Sequence, residues 1–277
     1  MNAILRVLLA GGVVALVAMP LTTVVASAAP VTQLAAKPAK LWDGFSSPVG
    51  MAFDSAGNLY VAEWGAGRVS RINPSGMRST FAEGLSGPSG LAIGADGTVY
   101  VASYYRDEIY RFTPQGARSV YVSGLATPAG IGFDRAGRLM IANRSTNQIL
   151  VVNETGQLES VIDDLQTPVG VVQTQDGGYV VSNIGGAITI IHPDGERVEA
   201  GKEFGTPGPG VAITAKGRVF AVDYGGTTVR EILANGESRS VADGFKIPVG
   251  LTVAPDGKSL LTAAWGDGAI YRILIAD

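Results

Sequence analysis

The chain contains no cysteine, which excludes disulfides, thiolate nucleophiles and thiolate zinc sites. His192 is its single histidine, so neither a histidine-rich metal site nor a mechanism needing two imidazoles can be assembled. No block of basic residues occurs and the net charge is −3, so nucleic acid is not an expected partner; backbone binding needs a concentrated positive surface. After residue 30 the sequence is too polar for a multispanning membrane protein. Its 38 glycines and 14 prolines do not recur at every third position, which excludes collagen and points to many tight turns. With 46% hydrophobic residues, the chain can still fill one substantial core.

The first residues read as an export signal. Arg6 supplies positive charge, residues 7–25 an apolar run, and Ala26-Ser27-Ala28 the small residues of a cleavage site. The expected organisation is a signal peptide over 1–28, a linker over 29–39 and one domain over 40–277. That places the protein outside the cytoplasm, secreted or periplasmic. An uncleaved N-terminal anchor is the competing reading, because the apolar run is long.

From residue 45 a unit of forty residues repeats six times. Gly50, Gly90, Gly130, Gly170, Gly210 and Gly250 share one place in it, and Gly57, Gly97, Gly137, Gly177, Gly217 and Gly257 another. The units start at Phe45, Leu85, Leu125, Leu165, Gly205 and Phe245. Within a unit the hydrophobic period is two. Residues 50–53, 59–62, 69–72 and 79–82 form four short strands separated by turns rich in Gly, Pro and Asn. Such a meander cannot bury both faces alone. Six arranged radially bury Phe53, Ile93, Phe133, Ile213 and Val253 between neighbouring sheets, with Gln173 departing in the fourth unit. The expected fold is an all-β, six-bladed propeller of four-stranded antiparallel blades.

The sixth unit ends after its third strand, while residues 41–45 repeat the pattern of residues 81–85. The N-terminal segment is therefore expected to complete the last blade and remove an open edge.

Functional groups of a propeller collect where the second strands end at the channel mouth. Those ends read Glu63, Ser103, Asn143, Asn183, Asp223 and, allowing an insertion at Ser259, Ala264. Glu63, Asn143, Asn183 and Asp223 could form a ring of oxygens for Ca²⁺ or another divalent cation, or for a polar ligand. The competing reading is that these side chains bond the amides of their own turns. Next along the chain, Trp64, Tyr104, Tyr105, Tyr224 and Trp265 are candidate walls of a small-molecule pocket. Arg106 and Arg144 are candidates for contacting a charged partner. His192 lies in a Pro-Asp-Gly turn facing away from that mouth, and no serine stands in a nucleophile-elbow pattern.

Pro88-Ser89-Gly90-Leu91-Ala92, the run Asp96-Gly97-Thr98-Val99-Tyr100-Val101-Ala102 and Arg68-Val69 resemble the unit of NHL-repeat propellers. The resemblance extends over residues 40–277 and implies a scaffold, a sensor or an enzyme. Among the enzymes it is similar to streptogramin B lyases and to gluconolactonase or senescence-marker-type propellers. The former use a channel histidine, which has no counterpart here. The latter hold a divalent cation partly through Asn or Asp just before the first-strand glycine. Here those places hold Val49, Ser89, Ala129, Val169, Pro209 and Val249. The resemblance also makes an Asp at a second-strand end ordinary in units without enzymatic activity.

The expected function is a monomeric binding or scaffold module for a small molecule or an extracellular protein. The alternative is a metal-assisted lactonase, esterase or lyase acting on a small cyclic ester. In it Glu63 and Asp223 hold the cation and one of them manages protons.

Overall fold

Short runs of Val, Ile, Leu and Tyr between glycine turns have the right length for strands and are too short for stable helices. The computed structural model describes residues 37–275, so the export segment 1–28 and residues 29–36 of the linker lie outside the described residues. The strands form six four-stranded antiparallel sheets. Five of them are consecutive meanders. The sixth combines Pro248–Val253, Ser259–Ala264 and Ala269–Leu274 with the N-terminal strand Ala39–Trp42. That strand pairs Ala39 with Arg272, Lys40 with Tyr271 and Trp42 with Ile270, so the predicted closure is present and begins at Ala39. Among the described residues no helix is long and apolar enough to cross a membrane.

The core is divided among the six interfaces between blades. Phe53 packs with Leu261 and Ile270 between blades six and one, and Ile93 with Tyr60 and Val69 between blades one and two. Phe133, Ile213 and Val253 occupy the matching places at three further interfaces. Period-two alternation produces this arrangement, because each strand sends successive side chains to the two neighbouring blades.

The two sets of glycines have different causes. Gly57, Gly97, Gly137, Gly177, Gly217 and Gly257 turn the chain with φ of 64–97°, a left-handed conformation that a Cβ disfavours. At Gly50 and its counterparts the requirement is space. A Cβ on Gly50 would meet the Ser89 carbonyl oxygen at 2.4 Å, and one on Gly250 the Val49 oxygen at 1.9 Å. First strands therefore touch backbone to backbone around the axis, and the sixth touches the first.

Blade five departs from the expected register. Its unit begins at Phe204, which packs against the interface of blades four and five, and not at Gly205. Pro207 faces Asp223, as Pro48 faces Glu63. The early start is offset by a seven-residue first strand, Pro207–Ile213, where the other blades use six. Glycine and proline at 205–210 obscured this shift in the sequence.

Candidate functional site

Each first-strand proline pairs with the last residue of a second strand: Pro48 with Glu63, Pro88 with Ser103, Pro128 with Asn143 and Pro168 with Asn183. This register brings the second-strand ends to the same height in every blade. The side chains there turn to the loops that enter their own blades. Glu63 accepts from the Ser46 N–H at 2.9 Å, from Arg68 Nε and Nη2 at 2.8 and 3.0 Å, and from Ser70 Oγ at 2.5 Å. Asn143 accepts from the Ala126 N–H, Asn183 from the Gln166 N–H, and Asp223 from the N–H groups of Gly205 and Thr206. Ser103 donates instead, to the Ser86 carbonyl. The converging ring of oxygens is thus replaced by separate clasps, each fixing one entry loop.

This donor set does not fit a hard cation. Glu63 is fully buried with both oxygens bonded, and none of the four side chains lines the central cavity. Among the described residues no three acidic or imidazole side chains gather.

The clasp at Glu63 makes stability depend on pH. Burial alone would raise this carboxyl, but the bonds from Arg68, Ser46 and Ser70 and the Arg68 charge outweigh it and hold the group below its usual 4.5. Burial likewise opposes, and Arg218 and Arg239 produce, the lowering at buried Glu231. A carboxyl depressed by folding stabilises above its unfolded value, and that contribution is lost as pH falls through the folded one. The thermal midpoint is expected to stay level down to about pH 5 and fall below it. Glu63→Gln should make the acid decline shallower and lower the stability at neutral pH by ~1–3 kcal/mol, because an amide cannot accept all these bonds. Equally steep acid declines in thermal melts of both proteins would assign the sensitivity to other groups.

One residue beyond each clasp lies a second set of side chains, and these do converge. In five blades the loop residue before the proline presents its carbonyl to them. The Ser47 oxygen accepts from the Trp64 N–H, Gly87 from Tyr104, Thr127 from Arg144, Thr167 from Ile184 and Ile247 from Trp265. All five of these loop residues have φ between 50° and 60°, and for β-branched Ile247 that conformation is costly. The strained backbone thus aims the rim side chains.

The rim is an arc of aromatic rings. Trp64 meets Tyr104 at 4.8 Å and Tyr105 at 5.2 Å between centroids, both edge to face. On its other side Trp265 lies at 6.4 Å, followed by Tyr224 at 6.1 Å. Blades three and four contribute Arg144, in the short 3₁₀ turn Arg144–Thr146, and Ile184. The Arg144 guanidinium stands over the Tyr104 ring at 5.8 Å and donates to its hydroxyl. Tyr105 is 63% exposed at the outer edge. Arg106 is exposed and lies outside the cavity lining, unlike the other rim residues predicted from sequence.

Below the rim a cavity of about 580 Å³ follows the first strands along the axis. Its walls include Met51, Leu91, Ile131, Val171, Val211 and Leu251, and it reaches Phe133 and Val253 at the far ends of those strands. The sequence pattern implies a channel mouth but does not show that the first strands line a shaft beneath it. The recurring apolar residue directly after each axial glycine was the available signal. Among the described residues no carboxylate lines the cavity, and Arg144 is the one charged side chain that does.

Fold and site together define a six-bladed propeller with an apolar axial channel and an aromatic rim. Several solved structures share this fold. A gluconolactonase from Xanthomonas campestris aligns with a TM-score of 0.77 and 18% identity, over 86% of this chain and 89% of its own. Virginiamycin B lyase from Staphylococcus aureus aligns at 0.69 and 16% identity, over 87% and 99%. A chain from a nidogen–laminin complex aligns at 0.66 and 20% identity, over 76% and 86%. At such identities the likeness establishes the fold alone. No protein-family model matches the sequence, and no curated protein matches it.

Proposed function

We propose that the protein binds a small organic molecule in the axial channel, with an apolar or aromatic body between the rim rings. The observation that carries this reading is the cavity of about 580 Å³ beneath five aromatic side chains, a size and lining suited to such ligands. A neutral fluorescent probe, N-phenyl-1-naphthylamine, tests it. Two of the three tryptophans, Trp64 and Trp265, line the cavity, so binding should quench tryptophan emission and brighten the probe at one-to-one stoichiometry. Trp64→Ala should weaken binding about tenfold or more, in line with the loss of one buried aromatic contact. Binding unchanged in that variant would place the probe elsewhere and defeat the proposal.

A second reading, turnover of the bound molecule, draws support from the fold likeness to a lactonase and a lyase. A small cyclic ester could lie with its carbonyl against Arg144 and the Tyr104 hydroxyl. Metal assistance through Glu63 and Asp223 would require breaking the clasps, so the two channel residues are the better candidates for such work. Lactone hydrolysis that needs Ca²⁺ and disappears in Asp223→Asn, with folding retained, would reverse that preference.

A further inference from the structure

We infer that the ligand is an apolar or aromatic anion whose oxygens are held by Arg144, which makes Arg144 the specificity-determining residue of the channel. This rests on the channel-binding reading above. Arg144 is half-buried, yet among the described residues no carboxylate pairs with it. Among the described residues its guanidinium hydrogen-bonds only to the Tyr104 hydroxyl. A guanidinium carries five N–H donors and is costly to hold at an apolar surface without a counter-charge. The hydrogen bond to the Tyr104 hydroxyl and the nearby ring offset part of that cost, but supply no negative charge. An anion entering the channel would.

The rim supplies a place for the rest of such a molecule. Trp64 lines the same cavity and meets Tyr104, the partner of Arg144, edge to face at 4.8 Å. A flat body against Trp64 with its oxyanion at Arg144 would match this layout. The clasp residues offer nothing comparable, since their polar atoms are bonded within their own blades.

The test compares two probes of nearly the same shape, 8-anilinonaphthalene-1-sulfonate and its neutral counterpart N-phenyl-1-naphthylamine, by calorimetric titration of the full chain. The wild type is expected to bind the sulfonate more tightly. Arg144→Gln should weaken the sulfonate about tenfold or more, the scale of a charge-assisted pair, and leave the neutral probe within about twofold. Arg144→Lys should recover part of the loss. Thermal melts of each variant establish that it is folded. Equal loss of both probes in Arg144→Gln, or no preference for the sulfonate in the wild type, would overturn the inference while leaving channel binding intact. If neither probe binds the wild type, channel binding fails and the inference falls with it.

Discussion

Replacing Gly250 with alanine is expected to lower the thermal midpoint by more than about 10 °C or to prevent folding, the largest effect of any single methyl in this protein. The added Cβ would stand 1.9 Å from the Val49 carbonyl oxygen and 3.1 Å from the Ala263 Cβ. Neither neighbour is the free end of a flexible side chain. Relief requires moving the first strand of blade one, which itself touches blade two at Gly50. Ordinary overpacking costs ~1–3 kcal/mol, and contact with unyielding backbone belongs above that range. Each kcal/mol shifts the midpoint of a domain this size by ~2–4 °C.

The control is Gly132→Ala. There a Cβ would find only the Val171 oxygen at 3.8 Å, and the same place already holds Ala52, Ala92 and Ala212. That variant should melt within about 2 °C of the wild type. A Gly250→Ala protein that melts as the control does would show that the ring is not closed by backbone contact between blades six and one.

These two glycines illustrate what the sequence carried. Both sit in a first strand and line the cavity, and composition does not separate them. The forty-residue period does, because the glycine at 250 recurs in six blades, whereas the place of Gly132 holds alanine, valine or threonine in the others. Periodicity therefore exposed the blade count, the strand boundaries and the closing strand, all of which follow from local turn chemistry and alternation. It also located the rim, since Trp64, Tyr104, Arg144, Tyr224 and Trp265 occupy one repeat position.

The direction of a side chain at the end of a strand was not legible. Glu63 and Asp223 looked like converging ligands, yet they bond amides 17 or 18 residues earlier in the chain. Nothing in a one-dimensional pattern separates a carboxylate aimed at the axis from one aimed at the entry loop. Blade five hid its one-residue shift for a related reason: Gly205 and Pro207 fit either register until Phe204 is seen to pack. The lining of the shaft was not legible because an apolar residue beside an axial glycine reads as core whether it faces a neighbour or an open channel.

Deleting residues 37–44 is expected to lower the midpoint by roughly 10–20 °C and to promote aggregation. The segment contributes the outer strand of blade six, pairing at Ala39, Lys40 and Trp42. Three such pairs at ~1 kcal/mol of net hydrogen bonding each form one part of the loss. Trp42 forms another, packing half-buried against the interface of blades six and one, where a full truncation of a buried tryptophan would cost ~3–5 kcal/mol. The deletion also removes the carbonyls of Asp43 and Gly44, which accept from Arg78 at 3.1 and 3.0 Å across the same interface. What remains is Ala269–Leu274 as an unpaired edge ending in the exposed Leu274, a template for joining other chains. Trp42→Ala separates the contributions: it keeps the backbone pairing, so it should cost less than the deletion and should leave the protein monodisperse in sizing chromatography. A deletion protein that melts with the wild type would mean that blade six is stable on three strands, and that the ring owes its integrity to the axial contacts alone.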